Sequence, residues 1–154
     1  MTNFTVIRDQ QEKSNYWDFN KGFLSNTVEA HLKTGDYTLD GLENIICIER
    51  KGKVGEFAQN IYQKRFPKCL ERMKDIKYSC VILEFDMFDI QTYPESAGLP
   101  WKIRKKIRVK PHDIIRRMTE FQVLYGTNFI LAGSYGREYA RRFMKSALEM
   151  EGIL

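Results

Sequence analysis

The sequence predicts a single α/β domain built around a mixed β-sheet. The chain has 154 residues, a length that suits one domain. Hydrophobic residues make up 43% of it and aromatic residues 13%, which suffices for a folded core and excludes a disordered or low-complexity chain. Short apolar runs alternate with segments whose apolar residues recur at helical spacing, which is the order expected of an α/β fold. We find no internal repeat or linker, so residues 1–154 are predicted to form one domain.

The first part of the chain predicts a strand followed by a helix. Phe4–Ile7 alternates well enough for a short strand. Ser25 is expected to cap a helix that carries Val28 on its apolar face and stops near Gly35.

A β-hairpin is the clearest local prediction. Asp40-Gly41 separates two β-prone runs, and this dipeptide typically forms a two-residue hairpin turn. The two strands are predicted over residues 37–39 and 44–51. The run Ile45–Ile48 has no polar face, so the second strand should be central and covered on both sides.

The rest of the chain predicts alternating helices and strands with one long connection. In order, these are two helices separated at Pro67, a strand over residues 78–87, a loop or extended hairpin over 88–110, a helix from Pro111 to Tyr125, a strand over 128–132 and a helix over 134–150. A connection as long as residues 88–110 is uncommon without a functional reason.

The cysteine and histidine pattern excludes a zinc site or a disulfide framework. Cys47, Cys69 and Cys80 are odd in number, lie among apolar neighbours and include no CxxC pair. His31 and His112 have no partner at zinc spacing. We therefore expect three reduced cysteines in the core. The N-terminus lacks the apolar stretch of a signal peptide and no run approaches the roughly 20 residues of a membrane span, so a cytoplasmic protein is expected.

Positive charge is concentrated in the last third of the chain. The net charge is +5, but residues 1–100 carry 13 Lys+Arg and 15 Asp+Glu, whereas residues 101–154 carry 12 and 5. Such asymmetry indicates a surface for a polyanion such as nucleic acid, and a solvated helix face is the alternative.

Two acidic residues and a lysine are predicted to meet at one edge of the sheet. Glu49 and Lys51 are two apart in a strand, so their side chains share a face and Arg50 points to the other. Asp36 opens the partner strand and is expected close to Glu49. Two carboxylates can hold Mg²⁺, which polarises a phosphodiester, and a lysine can orient the attacking water. A plain salt bridge between Glu49 and Lys51 is the alternative.

These motifs resemble the nuclease domain of the XPF-like structure-specific endonucleases, which belong to the PD-(D/E)XK superfamily. Gly35–Tyr37 and Ile48–Lys51 match the family's GD and V/I-E-R-K motifs, with a hairpin between them. Cys80–Asp86 is similar to the next core strand, Arg65-Phe66 followed by Glu71 is similar to the helix before it, and Asp9–Glu12 is similar to the D-x-R-E box. The resemblance covers roughly residues 4–132 and implies a restriction-endonuclease-like domain with a central mixed sheet flanked by helices.

The resemblance also implies roles for individual residues. Asp36 and Glu49 would be the metal-binding carboxylates, the Arg50 carbonyl would be a further metal ligand, and Lys51 would be the catalytic lysine. Glu12 would be a further catalytic residue, supplying an outer acidic group near the metal. Three further residues would form an outer layer around the site, namely Asp9, Glu56 and Arg65.

The match to the family departs at two positions. Gln11 stands where the family has the arginine of its D-x-R-E box. Gly55 stands where the family has an aspartate, and Glu56 follows one residue later. We expect these departures to affect substrate geometry more than chemistry, because both metal-binding carboxylates and the lysine are present.

A basic segment with one tryptophan is a candidate DNA-binding surface. Its residues are Trp101, Lys102, Arg104, Lys105, Lys106, Arg108 and Lys110. Cations spaced in this way can neutralise phosphates, and Trp101 can stack on an unpaired base. A solvated edge hairpin, protected from aggregation by its lysines, is the alternative. A second basic stripe is predicted on the last helix at Arg137, Arg141 and Arg142.

Together these features predict a DNA endonuclease that depends on Mg²⁺ or Mn²⁺ and cuts branched, flapped or otherwise structured DNA in repair or recombination. A non-catalytic DNA-binding partner subunit with the same fold is the first alternative, and an interaction protein that borrows the fold is the second. The expected partner is DNA, and the resemblance also implies a homodimer or a partner protein bound through the last two helices. The small size suggests a phage or mobile-element enzyme acting in a host cytoplasm.

Overall fold

A computed structural model describes residues 2–12 and 15–154, which form a six-stranded sheet with helices on both faces. The strands are β1 (Phe4–Asp9), β2 (Leu24–Ala30), β3 (Tyr37–Leu39), β4 (Ile46–Lys51), β5 (Tyr78–Leu83) and β6 (Phe129–Leu131). The helices are α1 (Val54–Asn60), α2 (Arg65–Met73), α3 (Met87–Gln91), α4 (Trp101–Arg104), α5 (Pro111–Tyr125) and α6 (Gly136–Met150). Single 3₁₀ turns occur at Glu95–Ala97 and Gly133–Tyr135.

The sheet is mixed, with the strand order β2-β1-β3-β4-β5-β6. β3 runs antiparallel to both of its neighbours, whereas every other adjacent pair is parallel. The predicted α/β domain around a mixed sheet is therefore confirmed. In the ranges that the structure describes, no helix is both long enough and apolar enough to cross a membrane.

Two apolar cores lie against the two faces of the sheet. On one face, Cys47 of β4 packs with Phe57 of α1 and with the buried sides of α2 and α5. On the other face, Ile46 and Ile48 pack with α6 and with Trp17 from the segment before β2. β4 is thus central and covered on both sides, as its apolar run predicts. All three cysteines are buried and free, also as predicted.

The predicted helix over residues 25–35 is wrong, because this segment contains the edge strand β2. Because β2 lies at the edge of the sheet, it lacks a continuous buried face: Leu24 is fully buried, but Val28 is 39% exposed. The strand is fixed by its pairing with β1 and by Thr27, whose hydroxyl accepts the Phe19 N–H at 2.7 Å and donates to the Phe19 carbonyl at 3.1 Å. Contacts with distant segments decide this element, so the local sequence could not.

The hairpin β3–β4 is present, but its turn is longer than the predicted two residues. Residues 40–45 connect the strands, and Tyr37 pairs with Ile48. A two-residue turn would instead have placed Tyr37 opposite Asn44. The observed register leaves Asn44 exposed and buries Ile48 beside Tyr37, which avoids the cost of a polar side chain in the core. The same register places residue 36 opposite residue 49.

Residues 88–110 are neither a structureless loop nor a hairpin. They contain most of α3, a 3₁₀ turn and α4. Asp86 caps α3, because its Oδ1 accepts the Asp89 N–H at 3.0 Å while Asp89 Oδ2 accepts the Asp86 N–H at 3.0 Å. Ile90, Ile107 and Val109 pack against the core and anchor the segment.

The remaining elements occur where they were predicted, with shifted boundaries. α2 begins at Arg65, two residues before Pro67, and β5 ends at Leu83 rather than near residue 87. α5 runs from Pro111 to Tyr125, and Gly126 ends it in the left-handed conformation with φ +65°. These shifts do not alter the topology.

Candidate active site

A cavity of about 410 Å³ opens at the end of β4. Its walls come from the end of β1, the β2–β3 connection, the end of β4, and helices α1 and α2. It is lined by all of the predicted catalytic, metal-binding and outer residues: Asp9, Glu12, Asp36, Glu49, Arg50, Lys51, Glu56 and Arg65. The fold therefore gathers in one cavity residues that lie far apart in the sequence.

Hydrogen bonds to backbone groups of β1 and β4 hold Asp36 in place. Its N–H donates to the Ile48 carbonyl at 2.9 Å, and its own carbonyl accepts the Asp9 N–H at 2.8 Å. Its side-chain Oδ2 accepts the Arg50 N–H at 2.8 Å. These bonds fix the carboxylate beside the end of β4, so its position depends little on solvent.

The register of β3 and β4 places residue 36 opposite residue 49, and the Asp36 carboxyl is close enough for the charge of Glu49 to act on it. Burial and the nearby charge of Glu49 raise the pKa of Asp36 well above its usual range, although the Arg50 N–H opposes the shift. Two carboxylates so arranged share a proton or attract a cation. The donor set is therefore suited to a divalent ion with oxygen ligands.

The backbone of Arg50 adds a further oxygen on the same side. In an extended strand, the N–H and carbonyl of one residue point the same way, so the Arg50 carbonyl faces the side to which its N–H donates, towards Asp36. Among the described residues, no group of three or more His, Cys, Asp or Glu side chains is arranged to hold a metal. The oxygen groups available to a cation at this point are therefore the Asp36 and Glu49 carboxylates and the Arg50 carbonyl.

Lys51 lies beside Glu49 on the α1–α2 side of the sheet. Its Nζ is 3.4 Å from Glu49 Oε2 and 5.0 Å from the centre of the Phe66 ring, and its side chain is 13% exposed. Both side chains thus share one face, as the two-residue spacing predicts. The lysine is confined near the carboxylates but still reaches the cavity.

The Arg50 side chain points to the opposite face, also as predicted. There its guanidinium donates to Glu84, to Glu12 Oε2 at 3.0 Å and to the Asn15 carbonyl at 2.7 Å, and it lies 5.3 Å from the Trp17 ring centre. Burial alone would lower the pKa of Arg50, but the hydrogen bonds to Glu84 and Glu12 raise it. This buried network fixes the strand end whose backbone contacts Asp36.

Glu12 and Asp9 are used differently within the cavity wall. Glu12 Oε2 accepts hydrogen bonds from Arg50 and from the Tyr37 hydroxyl at 3.1 Å, and burial raises its pKa. The Asp9 carboxylate accepts the backbone N–H groups of Leu32 at 2.9 Å and Gln11 at 3.3 Å. Asp9 therefore organises the wall, whereas Glu12 carries negative charge close to Asp36.

Glu56 and Arg65 lie at the exposed rim. Glu56 is in the first turn of α1, and Arg65 is the first residue of α2. Within the described part of the chain, neither forms a hydrogen bond or ion pair through its side chain.

Sequence reasoning missed several residues that line the cavity. They include His31, Lys33, Asn60, Gln63, Cys69 and Arg72. Cys69 lies behind the carboxylates, with its Sγ 4.0 Å from Glu49 Oε2, and burial raises its pKa to about 12. The i, i+4, i+7 spacing of Arg65, Cys69 and Arg72 was the available signal, because it places them on one face of a helix.

The predicted basic segment does not line this cavity at any of its seven positions. Trp101 is 64% exposed and the Arg104 guanidinium lies 5.4 Å from its ring centre. Lys102, Lys105 and Lys106 are also exposed. On α6, Arg141 is paired with Glu138 at 2.6 Å, so that stripe is partly neutralised.

The family follows from a comparison with known proteins. The ERCC4 domain matches residues 8–135, which is most of the chain, so this chain belongs to the ERCC4 domain family. No curated protein sequence matches it significantly.

Solved structures share the fold. XPF from Aeropyrum pernix superposes with a TM-score of 0.59 at 16% identity, covering 96% of this chain and 65% of that one. XPF from Aeropyrum pernix in complex with DNA gives a TM-score of 0.62 at 16% identity, covering 96% and 66%. The chain thus spans just under two thirds of the length of these structures. The predicted XPF-like nuclease domain, with helices flanking a mixed sheet, is confirmed.

Proposed function

We propose that this protein is a divalent-metal-dependent endonuclease that hydrolyses phosphodiester bonds in branched, flapped or otherwise structured DNA. The observation that carries the proposal is the close approach of the Asp36 and Glu49 carboxyls, with Lys51 beside them in one cavity. Two ionised carboxylates placed so close together repel each other, and a divalent cation held between them would relieve that repulsion. Membership of the ERCC4 domain family and the fold shared with an XPF–DNA complex support DNA as the substrate.

In this proposal Asp36, Glu49 and the Arg50 carbonyl hold Mg²⁺ or Mn²⁺. When bound, the ion would polarise the scissile phosphate and lower the pKa of a water molecule. Lys51 would orient that water and offset negative charge on the phosphate oxygens. Glu12 would keep Arg50 in place and add negative potential for the cation.

The test is a panel of labelled DNA structures incubated with the protein in Mg²⁺ and in EDTA. The panel contains a duplex, a single strand, a 5′ flap, a 3′ flap, a fork and a four-way junction. We expect cleavage of at least one branched substrate in Mg²⁺, none in EDTA, and a loss of about 10²-fold or more for Lys51→Ala. Glu149→Gln, an exposed carboxylate on α6, is the matched control and should cut like wild type.

Two results would contradict the proposal. Full activity of Lys51→Ala or Glu49→Gln would show that these residues do not form the active site. DNA binding that needs no metal, with no cleavage of any substrate, would instead identify the chain as a non-catalytic DNA-binding subunit.

A further inference from the structure

The basic segment, residues 101–110, carries positive charge that the proposed catalytic chemistry does not use. It contains six lysines and arginines, and no acidic residue occurs between Glu95 and Asp113. In residues 2–12 and 15–154, none of the six forms an ion pair. All of them except Arg104 are exposed. Their charge therefore remains available to a polyanion.

The same segment presents an aromatic surface to solvent. Trp101 is 64% exposed, and the Arg104 guanidinium lies 5.4 Å from the centre of its ring. Arg104 Nε is shielded from solvent and has no hydrogen-bond partner within the described part of the chain. Aromatic rings and guanidinium planes are the surfaces on which unpaired bases stack. The segment thus combines a stacking surface with positive charge.

Backbone hydrogen bonds hold this stacking surface in one conformation. The Pro100 carbonyl accepts the N–H groups of Ile103 at 3.0 Å and Arg104 at 2.9 Å, and the Trp101 carbonyl accepts the Lys105 N–H at 2.9 Å. Because the backbone around Trp101 is already ordered, a ligand that stacks on the ring has less conformational entropy to offset.

The second half of the segment arranges its cations along one side of the chain. Lys106, Arg108 and Lys110 are exposed, whereas Ile107 and Val109 between them pack against the core. Two residues of extended chain advance about 6.6 Å. One strand of stacked nucleic acid advances about 3.4 Å per nucleotide, so successive cations are spaced to meet every second phosphate.

The basic segment begins close to the wall of the candidate active site. A β-carbon placed on Gly55 of α1 would lie 3.5 Å from the Ala97 β-carbon, and the next residue, Glu56, lines the cavity. The four residues from Ala97 to Trp101 span at most about 14 Å. This distance corresponds to about four nucleotides of a stacked strand. Trp101 is therefore outside the cavity but within reach of a strand that leaves it.

We propose that Trp101, Arg104 and the exposed cations of the basic segment form a second nucleic-acid site, which holds unpaired single-stranded DNA by base stacking and phosphate contacts. Duplex DNA fits this site less well, because its bases are already stacked on one another and would leave Trp101 uncovered. The site itself requires no cleavage, and only its connection to the cavity rests on the proposed function.

The test titrates the protein with oligo(dT) of about 12 nucleotides in EDTA and follows tryptophan fluorescence. Trp17 is only 4% exposed, so Trp101 is the indole that a base can reach, and its fluorescence should be quenched on binding. The anisotropy of fluorescein-labelled oligo(dT) gives the affinity. Trp101→Ala should weaken binding about tenfold, and Trp101→Phe should stay within about threefold of wild type because it keeps a stacking face.

The contribution of the cations is measured by the salt dependence of oligo(dT) binding. Lys102→Gln/Lys105→Gln should reduce the slope of log K against log salt by about 1.4, since each phosphate contact on a single strand contributes roughly 0.7. The matched control is Lys21→Gln/Lys74→Gln, which removes the same charge from exposed positions outside both the basic segment and the cavity lining and should keep the wild-type slope.

Three results would overturn the inference. The first is equal oligo(dT) binding by wild type and Trp101→Ala. The second is equal weakening of single-stranded and duplex binding by Trp101→Ala, which would leave no preference for unpaired bases. The third is an equal change of salt slope in the two lysine variants, which would indicate a general charge effect, with an acidic protein as the better occupant of the segment.

Cleavage of forks in Mg²⁺ separates this inference from the proposed function. Wild-type KM should fall as the unpaired arms lengthen past about four nucleotides, and Trp101→Ala should lose this dependence. Lys51-dependent cleavage by wild type, together with wild-type affinity and KM in Trp101→Ala, would overturn the inference alone. Trp101-dependent oligo(dT) binding with no cleavage of any substrate by wild type would overturn the proposed function alone.

Discussion

Replacing Gly35 by alanine should destabilise the protein and displace Asp36. Gly35 has φ +79°, a left-handed conformation that costs an alanine about 1–2 kcal/mol. A Cβ at this position would lie 2.3 Å from Cys47 Sγ and 3.2 Å from the Ile48 carbonyl oxygen. Both neighbours belong to the buried strand β4, so relief of the clash requires movement of the strand that carries Glu49.

The expected loss of stability follows from these two contributions. Overpacking of a well-packed core typically costs about 1–3 kcal/mol. Added to the backbone cost, the total is about 2–5 kcal/mol for Gly35→Ala. For a chain of this size each kcal/mol lowers Tm by about 2–4 °C, so Tm should fall by roughly 4–20 °C.

Urea unfolding of four variants, namely Gly35→Ala, Gly41→Ala, Cys47→Ala and the double variant Gly35→Ala/Cys47→Ala, separates the two contributions. Gly41→Ala is the matched control, because Gly41 has φ +83° and a methyl group added there would meet no atom within 4 Å, so it should incur only the backbone cost. Cys47→Ala combined with Gly35→Ala removes the sulfur that clashes, so the double variant should be more stable than the sum of the single effects predicts. Gly35→Ala should also bind Mn²⁺ more weakly, since its strain falls next to Asp36.

Two results would refute this reasoning. The first is a loss for Gly35→Ala no larger than that for Gly41→Ala. The second is strict additivity of Gly35→Ala and Cys47→Ala, which would show that the sulfur does not oppose the new methyl group.

Two further predictions concern the Asp36 carboxyl and the buried hydrogen-bond network of Arg50. The raised pKa of Asp36 means that the stability tied to this group is complete below the ordinary aspartate pKa and is lost as pH rises through the raised value. In EDTA, the urea midpoint should therefore fall as pH rises above that ordinary value, and Asp36→Asn should reduce the fall; an identical pH profile for the variant would count against the assignment. Glu84→Ala removes one partner of the buried Arg50 and should cost about 2–4 kcal/mol in urea unfolding. Glu138→Ala is the control: it breaks the exposed ion pair with Arg141 and should cost less than about 1 kcal/mol. Equal losses of stability for Glu84→Ala and Glu138→Ala would show that the buried Arg50 network stabilises the fold no more than an exposed ion pair does.

The meeting of Asp36 and Glu49 was predictable, although the predicted turn was wrong. Alternation along β4 correctly placed Glu49 and Lys51 on one face. A two-residue turn, however, would have set Asp36 opposite Ile45 rather than Glu49. The six-residue connection over residues 40–45 provides the observed register, and its reason is the burial of Ile48 beside Tyr37, which a local turn preference does not report.

Features that depend on distant segments could not be read from the sequence. β2 pairs with β1 at the sheet edge, where few of its side chains are buried, so its local pattern carries little strand signal. The Arg50 network joins β4 to Glu84 and to Asn15 across the fold. The contribution of Arg72 to the cavity likewise requires the packing of α2 beside the β2–β3 connection. Helical spacing shows that residues lie on one face of a helix, but it does not show which other segments pack beside that face.

A calorimetric titration with Mn²⁺ tests the central claim most directly, because it needs no knowledge of which DNA structure is cut. We predict one Mn²⁺ site per chain in the wild-type protein, lost or weakened at least about tenfold in Asp36→Asn and in Glu49→Gln, and unchanged in Glu149→Gln. Equal Mn²⁺ binding by wild type and both cavity variants would contradict the assignment of Asp36 and Glu49 as the metal-binding carboxylates.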